Sequence, residues 1–199
     1  MIQSAADRLV AERGFAATTV REIAAAAGVT KRTFYRYFDG KDGIVASRLG
    51  IWMRAVHDAI IARPHDEGPV LAVRAALIQL ADKIERSPQR ELLWAFTDNA
   101  SALRSMRRSG ERPLVRIEEL ITLALLERGQ RTAGEQPDGA APPDRFACEL
   151  VARTAVAALR TVGAERRRTL AGDAMKAPAA ALDRAFDALS ILFGDAGRC

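Results

Sequence analysis

The sequence predicts an all-α chain of about nine helices, in which a three-helix N-terminal unit is followed by a larger helical part. Three observations predict this. Apolar residues recur at helical spacing through most of the 199 residues. Alanine and leucine are abundant and aromatic residues reach only 6%, a balance that favours helix over sheet. Glycine and proline fall between the periodic stretches, and neither an internal repeat nor a strand-like alternation interrupts the pattern.

The first helix shows its buried face at Ile2, Ala5, Ala6, Leu9 and Val10, and Gly14 supplies a stop. Thr19 followed three residues later by Glu22 is a capping box that opens a second helix. Its apolar face is Val20, Ile23, Ala24 and Ala27, and Gly28 ends it. Thr30 caps a third helix from Lys31 to Phe38. Two short helices joined by a glycine-containing turn form a helix-turn-helix unit. Asp39 caps a fourth helix that runs to Ala62, with Val45, Leu49, Trp52, Val56 and Ile60 close to a seven-residue repeat. It is long enough to leave the N-terminal bundle and connect it to the rest of the chain.

Residues 63–69, with Pro64, Gly68 and Pro69, read as a loop. A fifth helix carries Val70, Val73, Leu77, Leu80 and Ile84, and Pro88 opens a sixth bearing Leu92, Leu93, Trp94 and Phe96. Leu103 to Gly129 is helical, interrupted near Ser109 to Pro113, and the Gly-, Pro- and Ala-rich residues 130–143 read as a loop. Helices from Arg145 to Val162 and from Ala179 to Phe193 close the chain, the last with Leu182, Phe186, Leu189 and Phe193 in heptad-like spacing.

Charge concentrates on the third helix. The formal net charge is +5 and the isoelectric point about 9.7, which fits a polyanionic partner. Residues 29–41 hold Lys31, Arg32, Arg36 and Lys41 against the single acid Asp39. At about 100° per residue, Phe34 and Phe38 share the inward face. Arg32, Thr33 and Arg36 project from the opposite side, with Lys31 and Tyr35 on one flank and Tyr37 on the other. That face suits a major-groove reader, because arginine binds guanine O6 and N7 bidentately and threonine offers a hydroxyl or a methyl. The tyrosine hydroxyls and Lys41 are placed for phosphates, which fix register without reading sequence.

The run Ala5-Ala6-Asp7-Arg8-Leu9-Val10-Ala11-Glu12-Arg13-Gly14-Phe15, then Thr18 to Ala24, Ala27 to Thr30, and Thr33 to Phe38 with Lys41, resembles the DNA-binding domain of the TetR family over residues 2–48. The resemblance implies a helix-turn-helix DNA-binding domain at residues 1–48 and a helical effector-binding and dimerisation domain at 49–199. It implies base-reading positions at Lys31, Arg32 and Thr33, and phosphate-contacting positions at Thr18 or Thr19, Tyr35, Tyr37 and Lys41. The helical faces add Arg36 as a base or phosphate contact. It further implies a homodimer built on the last two long helices, an inverted-repeat operator, and a pocket among the middle helices. A small organic effector, apolar or amphipathic, would release the protein from DNA. Helix four would be the mechanical link. Two features depart from the family's pattern. The basic N-terminal arm of some members has no counterpart before the first helix, and Gly43 stands where a helix-favouring residue is usual, at about 1 kcal/mol relative to alanine.

The expected effector residues are Trp52, Met53, Trp94, Phe96 and Met106, with His57 and Asn99 as polar contacts, although such residues at helical spacing equally form ordinary core. Arg104, Arg107 and Arg108, and Arg166, Arg167 and Arg168, read as solvated faces, with an anionic effector as the sharper alternative. DNA binding without any effector, and activation in place of repression, stay open. Catalysis is not expected. His57 and His65 lie eight residues apart, off the spacing of a helical zinc motif, and no glycine-rich nucleotide loop occurs. No cofactor or metal is implied. Cys148 and Cys199 are too few for a disulfide scaffold, no apolar run nears the roughly 20 residues of a membrane span, and charges break up the N-terminus where a signal peptide would be apolar. These features point to the cytoplasm.

Overall fold

The computed structural model describes residues 1–87, 112–135, 144–169 and 178–194, and among these every regular element is an α-helix. The eight helices are α1 (Ile2–Ala17), α2 (Val20–Ala26), α3 (Lys31–Tyr37), α4 (Gly40–Ile61), α5 (Pro69–Glu85), α6 (Pro113–Glu135), α7 (Arg145–Thr169) and α8 (Pro178–Gly194). The sixth helix expected from Pro88 lies outside the described residues. Among the described residues no helix is long and apolar enough to cross a membrane.

The chain divides into two compact units, Met1–Trp52 with Ile84–Pro113, and Met53–Lys83 with Leu114–Cys199. In the first, Ala6 and Val10 of α1, Ile23 and Ala24 of α2, Phe34 of α3, and Ile44 and Val45 of α4 are buried. Burial of these side chains, at roughly 1.5–3 kcal/mol for each large one, holds together helices too short to persist alone. Gly14 breaks α1 as its position predicts. It takes φ 78° and ψ 160°, outside helical geometry, and a separate short turn follows beyond the kink to Ala17. Along its length α1 is tied to α4 by polar contacts: Gln3 donates to Ser47 Oγ at 2.8 Å, and Arg48 pairs with Asp7. Burial outweighs the Arg48 guanidinium and pushes the Asp7 carboxyl above its ordinary value.

In the second unit the buried residues include Met53, Val56 and Ile60 of α4, and Val73, Leu77 and Leu80 of α5. Ile117, Ile121 and Leu125 of α6, Ala155, Val156 and Leu159 of α7, and Leu182 and Phe186 of α8 complete the core. The helices α7 and α8 pack on each other, and Arg74 of α5 reaches both Asp183 and Asp187, one turn apart on α8, at 2.6 Å.

Two helices outrun the sequence expectation. The helix α6 passes through Gly129 and continues to Glu135, into the stretch read as a loop. Arg128, just before the glycine, is buried and donates to the carbonyls of Pro64 and, at 2.7 Å, Glu67. Arg131 pairs with Glu127 at 2.6 Å on the adjoining turn. These contacts offset the cost of about 1 kcal/mol for a mid-helix glycine. The helix α7 likewise continues past Val162 to Thr169, and Asp144 caps its start by accepting from Phe146 N at 3.0 Å. Arg166 is only 7% exposed, so it does not belong to a solvated face.

Candidate nucleic-acid interface

The reading surface is built by local chemistry. Thr19 accepts from Glu22 N at 3.3 Å, and the Glu22 carboxylate accepts from Thr19 N at 2.9 Å and from its hydroxyl at 2.7 Å. These bonds hold the Glu22 carboxyl below its ordinary range. Arg13, just before the Gly14 kink in α1, reaches the same carboxylate at 3.2 Å. At the other end of α2 the N–H of Gly28 donates to Ala25 O and that of Val29 to Ala24 O, at 3.0 and 2.9 Å. That pair of bonds is a Schellman closure, and it places Gly28 at φ 66°, a conformation glycine alone adopts without strain. Two residues on, Thr30 accepts from Thr33 N at 3.1 Å and starts α3.

The seven residues of α3 divide as their angular positions require. Phe34 is 0% exposed, edge-on to Tyr35 at 5.6 Å and 5.7 Å from the Phe38 ring, while Phe38 itself is only half-buried. Lys31, Arg32 and Arg36 are exposed, and Tyr35 and Tyr37 are 58% and 61% exposed. Thr33 is half-buried, its hydroxyl 2.9 Å from that of Thr30. The Arg36 guanidinium donates to the Tyr37 hydroxyl at 3.0 Å and lies 5.0 Å from the ring centre, so the two side chains form one unit. Gly43 is the close approach behind α3. A Cβ there would stand 3.3 Å from the backbone of Phe38, which accounts for glycine at a position where the helix alone would favour another residue.

Three expected contacts are arranged differently from one another. Thr19 is exposed at the start of α2. Thr18 is 1% exposed and donates inward to Gly14 O at 2.9 Å. The Lys41 ammonium donates to Phe15 O at 2.7 Å and Ala16 O at 3.3 Å, and sits 4.6 Å from the centre of the Phe15 ring. Arg21, exposed on α2, was not singled out by the sequence reasoning, and its position on the outward face of that helix is the signal that marks it.

Of the expected effector residues, Met53 and His57 line an open cleft of about 620 Å³ in the second unit, opposite Leu120, Leu123 and Glu127 of α6. The His57 ring nitrogens meet carboxylates on both sides, Asp58 and Glu127, each at 3.2 Å. Trp52 is half-buried. Trp94, Phe96, Asn99 and Met106 lie outside the described residues, as do Arg104, Arg107 and Arg108.

A helix that buries phenylalanine and turns lysine, arginine and tyrosine outward, held by a glycine turn behind a capped partner, is the arrangement that lays a helix in a DNA groove. The chain is therefore of the helix-turn-helix class. Residues 2–47 match the family described as bacterial regulatory proteins, tetR family, so the N-terminal helices form a helix-turn-helix domain of the TetR type. The HTH-type transcriptional regulator YerO of Bacillus subtilis is 48% identical over 40 residues, which cover 20% of this chain and 14% of that relative.

Solved structures share the fold. The FadR repressor of Thermus thermophilus in complex with lauroyl-CoA is 22% identical with a TM-score of 0.60, covering 94% of this chain and 90% of that one. SmeT, repressor of the Stenotrophomonas maltophilia multidrug efflux pump SmeDEF, is 20% identical with a TM-score of 0.57, covering 94% and 87%. The fatty acid degradation regulator FadR of Bacillus halodurans is 19% identical with a TM-score of 0.55, covering 94% and 91%.

Proposed function

We propose that the chain is a ligand-responsive transcriptional repressor that binds an inverted-repeat operator as a homodimer and leaves it when a small organic effector binds. The observation that carries this is the two-sidedness of α3, with Phe34 inward and Lys31 and Arg32 exposed. Lys31 and Arg32 read base edges, and Thr33, whose hydroxyl is engaged by Thr30, offers its methyl. Tyr35, Thr19 and the Arg36–Tyr37 pair take phosphates. Lys41, whose ammonium meets two carbonyls at the end of α1 and keeps a third donor, takes a phosphate as well, while the Thr18 hydroxyl is bonded inward to Gly14 O.

A second copy packs along α7 and α8, where exposed Phe146 and Leu150, one turn apart on α7, supply apolar surface. The effector enters the cleft of Met53 and His57, whose mixture of leucine and charged side chains suits an amphipathic organic molecule. The lauroyl-CoA complex of T. thermophilus FadR and the triclosan complex of SmeT support that ligand class. Release follows if the effector prefers a conformer whose two reading helices no longer match successive major grooves.

The test is selection of duplexes from a random library by the purified protein. The expected product is an inverted repeat whose half-sites are centred about 34–36 Å, one DNA turn, or a multiple of it, apart. Recovery of no consensus, or of a single unrepeated half-site, would refute the dimeric operator.

A further inference from the structure

Within the first unit, two neighbouring polar contacts join α1 to α4. Gln3 donates to Ser47 Oγ at 2.8 Å, and that hydroxyl donates on to Ile44 O at 2.9 Å. One turn along α1, Asp7 accepts from the Arg48 guanidinium. The Asp7 and Arg48 side chains are only 12% and 15% exposed. A carboxylate and a guanidinium can meet through two parallel bonds, yet Asp7 Oδ1 and Arg48 Nε are buried with no hydrogen-bond partner. A charge pair that has lost its water and leaves part of its bonding unmade adds little stability, and apolar side chains of like volume commonly do as well or better. The Asp7 carboxyl, pushed above its ordinary value by burial despite the guanidinium beside it, points the same way.

What such a pair supplies is direction. Apolar contact is non-directional and tolerates small shifts. A slip of α4 by one residue turns Arg48 through about 100° and leaves two desolvated charges apart, which is strongly unfavourable. The alignment selected in this way is felt at the start of the same helix. There a Cβ at Gly43 would meet the backbone of Phe38, the C-cap of α3, at 3.3 Å, so α3 is seated against the first turn of α4. Arg48 also stands one turn before Trp52, the last residue of α4 within the first unit. We propose that Asp7 and Arg48 are positioning residues: their pair fixes the register of α4 against α1, and through the first turn of α4 the seat of α3, without adding stability. The part of this that concerns α3 rests on the DNA-binding reading above. The register of α4 on α1 does not.

The test compares Asp7→Leu, which strands the Arg48 charge, with the apolar double variant Asp7→Leu/Arg48→Met and with Arg48→Lys, which keeps the charge. Three readouts are taken: the melting temperature, the methyl NMR signals of the buried Ile44 and Val45, and binding over a salt series to a duplex selected by the unmodified protein and to a scrambled duplex of equal length. Asp7→Leu should lower the melting temperature by roughly 5–10 °C. The double variant should melt no lower than the unmodified protein, yet show split or broadened Ile44 and Val45 signals. If each of two protomers then holds the reading register about a third of the time, binding to the selected duplex weakens about tenfold. Its salt slope and its scrambled-duplex affinity should match the unmodified protein, since neither residue is among the DNA contacts proposed above. Arg48→Lys should keep one sharp set of signals and most of the selected-duplex affinity.

One sharp set of Ile44 and Val45 signals in the double variant would overturn the proposal whatever its affinity. A double variant that melts as low as Asp7→Leu, or does not fold, would show an ordinary stabilising contact and overturn it equally. Split signals with full affinity for the selected duplex would overturn the part that concerns α3. If the unmodified protein does not distinguish the two duplexes, it is the DNA-binding reading that fails, and the methyl signals and melting temperatures alone decide the register.

Discussion

Phe34→Ala perturbs the reading helix from behind, at the one α3 side chain that is completely buried. A phenylalanine buries roughly 150–250 Å², and at about 25 cal/mol per Å² this is worth roughly 4–6 kcal/mol. Loss of the two aromatic neighbours, Tyr35 at 5.6 Å and Phe38 at 5.7 Å, adds to the deficit, while collapse of the site reduces it. Measured truncations of this kind cost about 3–5 kcal/mol. A seven-residue helix has no independent stability to offset that. The deficit corresponds to about two to three and a half powers of ten in the opening equilibrium.

Hydrogen exchange by peptide is the assay, because it separates segments within one chain. Peptides covering residues 20–45 should lose protection by that factor, and peptides covering 145–166 should keep theirs. A rise of less than tenfold over residues 20–45 would refute the assignment of Phe34 as the anchor of α3. An equal rise in both segments would refute a loss confined to the packing around Phe34.

Three further outcomes rest on single contacts. Thr30→Ala removes the acceptor of Thr33 N at 3.1 Å and should cost about 1 kcal/mol, seen as a lower urea midpoint for residues 30–38. Glu22 is held below its ordinary value of 4.5 by the Thr19 hydrogen bonds. Its stabilising effect is therefore present above about pH 4.5 and lost as pH falls through the lower folded value. Glu22→Gln should flatten that acid-side loss, measured as urea midpoints from about pH 6 down to pH 3. In Gly43→Ala, a gain in helix propensity of at most about 1 kcal/mol opposes a 3.3 Å contact with the Phe38 backbone, which cannot rotate aside. The melting temperature should fall, and a rise would show that α4 can draw back from α3.

What could be read in the sequence was local. The capping box of Thr19 and Glu22, the Gly28 turn and the inward face of Phe34 can each be read from residues within five positions of one another, and all three stand as the spacing required. What could not be read was long-range. That the Lys41 ammonium meets the carbonyls of Phe15 and Ala16 could not be read, since these lie 26 and 25 residues earlier in the chain. Residues 130–135 look loop-like by composition, yet they continue a helix whose buried Arg128 is bonded to carbonyls 61 and 64 residues away. The cleft shows the same limit: His57 could be named from helix four alone, but Glu127, 70 residues on, could not. Arg166 sits in a run of three arginines that reads as surface, and only packing shows it to be buried.

The most direct measurement is DNA binding across a salt series for the unmodified protein, Arg32→Ala and Tyr37→Ala, on the selected duplex and its single-base variants. If α3 reads bases from Arg32 and phosphates from Tyr37, Arg32→Ala should cost about 1–3 kcal/mol and relax preference at one position per half-site. Tyr37→Ala should then weaken all sequences about equally. If the unmodified protein binds the selected and scrambled duplexes alike at moderate salt, or if Arg32→Ala keeps full base preference, α3 is not the reading helix.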